Sequence, residues 1–193
     1  ILDKQDFIVP SRAIMADEVP IEIARFEEAL IKTREEIFDL KKKIYTDMGA
    51  EQAQIFDAHL MVLEDRTIIE EVVKRIRKEK LSAECIFSKV INKYVKVFSN
   101  IEDEYLRERT ADVNDVGRRV LKNLMDETKM HEFENLTEEI IIIAHDLSPS
   151  DTVSMYNKNI IAFSTDIGGP TSHTAIMAKS LGVPAVVGLK DAT

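Results

Sequence analysis

Residues 168–188 read GGPTSHTAIMAKSLGVPAVVG, and the order of residue types in this stretch decides the kind of fold around it. Gly168 and Gly169 make a flexible turn, TAIMAKSLG is a helix-like run stopped at Gly182 before Pro184, and PAVVGL is a short β-branched run. Upstream, EEIIIIAHDL at 138–147 and NIIAFSTD at 159–166 are two more such runs, bounded by turn residues such as Ser148-Pro149-Ser150. Strand, helix and strand in alternation predict an α/β unit whose chemistry is carried by loops at the strand ends. The opening ILDKQDFIV is strand-like as well and is expected in the same sheet.

Before Glu134 the pattern is different. Ile23, Phe26, Leu30, Ile37, Leu40 and Ile44, with Thr33 filling the gap, recur at helical steps, so one face of a long amphipathic helix is expected, ended at Gly49. AQIFDAHLMVLED at 53–65 and TIIEEVVKRIRKE at 67–79 continue the pattern, the latter with Ile68, Ile69, Val72, Val73 and Ile76 on one side. Ser82 is the expected N-cap of a further long stretch through Ile86, Val90, Tyr94, Val97, Ile101 and Tyr105, which runs to about Thr128 with no proline and only Gly117. These residues predict an antiparallel helical bundle inserted into an α/β domain that is built from both ends of the chain. The expected boundaries are 1–12 and 131–193 for the α/β part and 13–130 for the bundle.

Composition narrows the function. The 193 residues are 45% hydrophobic, enough for a buried core. No apolar run approaches the roughly 18–20 residues of a membrane span, so no membrane association is expected. The chain opens on Ile1, mid-pattern, and is expected to be a trimmed piece lacking upstream residues. A net charge of −9 with interleaved acids and bases, as in KTREEIFDLKKK, argues against nucleic acid and suits a basic protein partner. The single cysteine, Cys85, forms no internal disulfide and reads as a small buried residue, which with no export signal points to a reducing cytoplasm.

Of the four histidines, His59 is expected as a hydrogen-bonded surface residue, while His131 and His145 fall in a linker and at a strand end. None has a partner at metal-ligand spacing, and no metal site is expected. His173 differs. The glycines before it allow close backbone approach to a ligand, Thr171 and Ser172 offer hydroxyls, and the helix that follows has unpaired N–H groups and partial positive charge that favour an anion. Neutral imidazole is a nucleophile near pH 7, so phosphohistidine is a reasonable product. By residue type alone, a purely structural helix cap stays open as well.

The motif GGPTSHTAIMAKSLGVPAVVG resembles the phosphohistidine signature of the phosphoenolpyruvate-utilising enzymes. IFDAHLMVLED, IEDEYLRERTADVNDVGRRVLKNL and HDLSPSDT extend the resemblance over nearly the whole chain, toward enzyme I of the sugar phosphotransferase system. The swivelling domain of the dikinases and phosphoenolpyruvate synthases is the alternative branch, and a non-catalytic docking module the alternative class. The resemblance implies an incomplete α/β phosphohistidine domain with an inserted antiparallel α-helical bundle. His173 would be phosphorylated on Nε2, Thr152 would hold its imidazole, and Gly168, Gly169, Thr171 and Ser172 would line the phosphate.

The same resemblance implies that the bundle binds HPr, a small histidine-containing phosphocarrier, through an exposed set of Gln54, Asp57, Met61, Asp65 and Ile68, with Phe98. Spacing alone leaves Met61 and Phe98 readable as bundle core too. Pro170 stands where relatives often carry a basic residue, and Lys179 replaces a common arginine, which keeps the charge but not the bidentate fork. The implied phosphoenolpyruvate site, magnesium and homodimer contacts belong to a C-terminal barrel outside this chain. No cofactor is therefore expected in this piece, which is expected as a cytoplasmic monomer.

Overall fold

The computed structural model describes residues 9–99, 104–125, 139–147, 151, 159–170, 172–190 and 192. Among them the chain divides into two compact units, one of residues 9–42 and 54–125, the other of residues 43–53 with those from 139 onward. The strand-like opening and the expected boundary at 130/131 lie outside the described residues.

Helix α1 (Val19–Met48) follows the apolar stripe: Phe26, Ala29, Thr33, Ile37 and Ile44 are buried. Thr33 is tolerated there because its hydroxyl donates to the Ala29 carbonyl at 2.7 Å and accepts from Asn123 Nδ2 at 3.0 Å. Gly49, at φ +101°, closes the helix as expected. After the single turn α2 (Ala50–Ala53) come α3 (Ile55–Leu63), α4 (Arg66–Glu79), α5 (Ala83–Ser99) and α6 (Glu104–Met125). The expected long stretch after Ser82 is thus two helices, packed on each other, with Val97 left 54% exposed. Gly117 permits their approach, since a Cβ there would lie 2.8 Å from Ile91 Cγ2.

Two expectations in this unit are corrected. Ser82 occupies the turn before α5, but its hydroxyl is buried without a hydrogen-bond partner and caps nothing. The cap comes from Glu22 on α1, whose carboxylate accepts the Ala83 N–H at 2.8 Å and is gripped by Arg12 and by Arg25 at 2.8 Å. Burial by itself would raise the Glu22 carboxyl, but the Ala83 N–H, Arg25 and Arg12 outweigh it and hold the group below its ordinary value. His59 is not a surface residue. It is fully buried, with Nε2 3.2 Å from Asp112 and Nδ1 3.6 Å from Asp115, both on α6.

The second unit carries a parallel sheet of β1 (Ile140–Ala144), β2 (Ile160–Thr165) and β3 (Ala185–Val187), in that order. Helix α7 (His173–Leu181) connects β2 to β3. Ile142 and Ala144 of β1, Ile160 and Phe163 of β2, Leu147 after β1 and Ala178 of α7 form its core; alternation puts Ile142 and Ala144 on one face, and a register shift at the start of the β1–β2 pairing brings Ile160 and Phe163, three residues apart, to that same face. Gly182, at φ +67°, ends α7, and the Val183 N–H returns to the Ala178 carbonyl at 3.0 Å.

Candidate functional site at the carboxyl edge of the sheet

In open parallel sheets the crevice outside the carboxyl ends of the strands is where ligands bind. Here that edge is made of His145–Leu147 after β1, Asp166–Pro170 after β2, the first turn of α7, and Gly188–Lys190 after β3. Backbone bonds lace these segments together: the Asp166 N–H donates to the Ala144 carbonyl at 3.2 Å, Ile167 to His145 at 3.0 Å, and Leu189 to Thr165 at 3.1 Å. Gly168 lies at φ +122°, and a Cβ on Gly188 (φ +80°) would stand 2.9 Å from the Gly168 carbonyl oxygen. Both positions need glycine for the loop to close. Gly169 has no atom within 4 Å of where its Cβ would be, so its small size leaves open space at the edge.

Ser172 is the N-cap of α7, in extended conformation, and its Oγ accepts the Ala175 N–H at 3.3 Å. A hydroxyl that accepts there still has its own proton to donate outward. His173 is the first residue of the helix. The next residue, Thr174, is buried and donates from Oγ1 to the Leu147 carbonyl at 3.0 Å, which ties the head of α7 to the segment after β1. The helix start therefore presents the N–H groups of its first turn and a positive dipole end at the sheet edge, with a histidine in its first position. Lys179 is exposed in the last turn, about 9 Å along the axis from His173 at 1.5 Å per residue, beside the helix C-terminus.

Thr152 and Thr171 lie outside the described residues. In the helical unit, Gln54, Asp57 and Met61 are exposed on and before α3, Met61 by 70%. Asp65 is exposed and caps α4, accepting from Thr67 and Ile68 N–H groups at 2.7 and 3.2 Å. Phe98 is half-buried. Ile68 departs from the expected exposed set: it is only 7% exposed, buried on the same α4 face as Val72 and Ile76, because the apolar stripe of that helix faces the bundle. Spacing within TIIEEVV was the available signal for this.

One partnership was missed by sequence reasoning. His145 Nδ1 lies 3.1 Å from Asp166 Oδ2, joining the ends of β1 and β2. The parallel pairing of the two strands is what brings them together, and nothing in either local sequence announces it. Among the described residues, no group of three or more His, Cys, Asp or Glu is arranged to hold a metal ion, and no helix is long and apolar enough to cross a membrane.

Two family models match this architecture. Residues 2–109 match the N-terminal domain of the PEP-utilising enzymes, and residues 136–193, including the loop and α7, match their mobile domain. The chain belongs to the PEP-utilising enzyme family. Within it, the chain is similar to the phosphoenolpyruvate-protein phosphotransferase of Bacillus sp. (strain S), 40% identical over 192 residues, and to that of Listeria innocua, 42% identical over 176 residues. The match covers 100% of this chain and 33% of the first relative, and 91% and 31% for the second, so the chain spans about a third of their length. A solution structure of an Enzyme I protein is 42% identical, covers 97% of this chain and 75% of its own, and superposes with a TM-score of 0.75.

Proposed function

We propose that this chain carries the phosphohistidine half of a phosphoenolpyruvate-protein phosphotransferase, with His173 as the phosphoryl acceptor and donor and the histidine of HPr as its partner. The observation that carries the reading is a histidine at the head of a Ser172-capped helix, on a double-glycine loop at the carboxyl edge of a parallel sheet, in a chain of this family. Neutral His173 attacks the phosphorus through Nε2. A P–N bond forms there as the P–N bond to the carrier's imidazole breaks, and the electron pair returns to the carrier's nitrogen. In the forward direction the phosphoryl group leaves the enol oxygen of phosphoenolpyruvate, whose electrons go to the departing pyruvate enolate. Helix N–H groups and the Ser172 hydroxyl are the donors available to the transferring oxygens. Thr152 is assigned to orient the imidazole, and Gly168, Gly169 and Thr171 to line the phosphate.

Residues 13–130 are assigned as the inserted HPr-docking domain, and 1–12 with 131–193 as the phosphohistidine domain. Gln54, Asp57, Met61 and Asp65 are available at the surface for docking, with Phe98 partly so. Apolar anchors ringed by acids fit a basic carrier face. Phosphoenolpyruvate, magnesium and homodimer contacts are assigned to the remainder of the full-length protein, in the cytoplasm. When bound, magnesium would neutralise charge on the transferring phosphoryl group. The donors described in this chain do not fit the ion, and no step here passes through it.

The test is intact-mass analysis of the chain after incubation with phosphorylated HPr at neutral or alkaline pH, since phosphohistidine is acid-labile. One added phosphoryl group mapped to His173, and none in His173→Ala, is the expected result. Carrier binding without any covalent gain, unchanged in His173→Ala, would leave a docking module instead. Exchange by His173→Ala would sink the site assignment.

A further inference from the structure

Helix α4 carries a second surface, apart from the set assigned to HPr. Its buried stripe is Ile68, Val72 and Ile76. Beside that stripe two rows at steps of four run along the outside, Ile69–Val73–Arg77 and Glu70–Lys74–Lys78, and these six residues line an open groove. Ile69 and Val73 are half-buried, while Glu70, Lys74, Arg77 and Lys78 are exposed. The groove therefore has an apolar floor toward its start and three cations toward its end, with Val73 and Arg77 about 6 Å apart along the axis.

Neighbouring cations on this side of the bundle are matched by acids: Arg75 with Glu79 at 2.6 Å, Lys93 with Glu71 at 2.9 Å. Among the described residues, Lys74, Arg77 and Lys78 have no acid within ion-pair distance. Against Glu70 alone they leave the groove net positive, on a chain whose net charge is −9. Arg77 and Lys78 lie in the last turn, where cations complement the helix dipole. Lys74 lies a turn earlier, and a dipole partner has no need of an apolar floor. The acidic set assigned to HPr is at the other end of the same helix, where Asp65 caps α4, about 20 Å along the axis from Lys78. A basic carrier face suited to Asp57 and Asp65 is repelled by three lysine and arginine side chains, so the groove selects a partner of opposite sign.

We propose that this groove docks an acidic amphipathic helix of a protein partner, with its apolar side chains over Ile69 and Val73 and its carboxylates at Lys74, Arg77 and Lys78. Carboxylates are favoured in the first turns of a helix and cations in the last. The partner helix therefore lies antiparallel to α4, its acidic N-terminal turns beside Arg77 and Lys78. An anionic membrane is a poorer match: Ile69 and Val73 are already half-buried and have no depth to insert, and the acidic chain is repelled by such a surface. The inference does not depend on the His173 assignment.

The probe is a fluorescent alanine-based helical peptide with glutamates in its first two turns and two leucines, one turn apart, in the next. Its binding to the chain is read by anisotropy, beside a peptide of the same composition in scrambled order. Saturable binding is expected for the ordered peptide, weakened about tenfold by the double variant Lys74→Glu/Arg77→Glu, since each reversal turns an attraction into a repulsion. Both side chains are exposed, so the urea midpoint should stay in place. A variant-free readout guards against misfolding: on the wild-type chain the peptide should shift amide resonances of residues 69–78 and leave those around Met61 unmoved. Absence of saturable binding, equal binding of the scrambled peptide, or shifts centred on Met61 would each overturn the proposal. So would saturable binding to phosphatidylserine vesicles that the double variant abolishes, which would make this face a lipid contact.

Discussion

The two units treat polar groups in different ways. In the helical unit, several polar side chains are taken into the interior and meet partners far away in sequence. Glu22 is 3% exposed and caps a helix 61 residues later, while His59, fully buried, meets Asp112 and Asp115. In the sheet unit the apolar core is small and the hydrogen bonds converge on one edge, where Asp166, Ser172 and Thr174 hold loops in place. A buried ion cluster fixes the relative placement of helices, because separating its members would strand charge in a dry interior. A loop edge held by a few bonds keeps its backbone donors available to a ligand. The contrast is between a helical unit made stiff by its interior and a loop edge made by its turns.

That contrast can be broken most severely at Gly188. Its Ala variant combines a positive φ with a Cβ 2.9 Å from the Gly168 oxygen, so a loss of about 3 kcal/mol is expected, read by amide exchange of β1–β3 in denaturant. Full retention of that protection would mean the edge can deform without cost.

Glu22→Gln attacks the other unit. It removes a buried charge-assisted cap and leaves Arg25 and Arg12 under-partnered, with an expected cost of about 2 kcal/mol, read by urea unfolding of the helices. The sign with pH follows from the depressed carboxyl: its contribution is present above the unfolded value of about 4.3 and is lost as pH falls through the lower folded value. Wild type should therefore lose stability on acidification below that range more steeply than the variant, and parallel pH profiles would refute the capping account.

Ser172→Ala sharpens the comparison at the loop edge. About 1 kcal/mol of stability should be lost with the cap; phosphoryl exchange with HPr should fall further than this if the hydroxyl also serves the transferring oxygens. Met61→Ala is the smallest in stability, within about 0.5 kcal/mol because the side chain is 70% exposed, while KM for HPr should rise about tenfold. A change in thermal midpoint with unchanged KM would reassign Met61 to packing.

Much of the fold was legible locally. The α1 stripe, the stops at Gly49 and Gly182, the three β-branched runs and the helix between the last two all depend on near neighbours, and a reader of residue types can find them. So can the loop that presents His173, whose glycines and hydroxyls are contiguous. At Ile68 the period of its own helix prevails over what the motif resemblance implies: Ile68, Val72 and Ile76 form the buried face of α4.

The sequence by itself determined the helical and strand elements, the helix terminus that carries the histidine, and the family, since each rests on short-range periodicity, turn chemistry or a contiguous motif. Only the tertiary structure decided that Glu22 and not Ser82 caps α5, that His59 is enclosed by α6, and that His145 meets Asp166. Those pairings join residues 61, 53 and 21 positions apart. The reason is physical: a charge is tolerated in the interior only where a partner is brought to it, and which partner arrives depends on how elements pack, which no local pattern encodes.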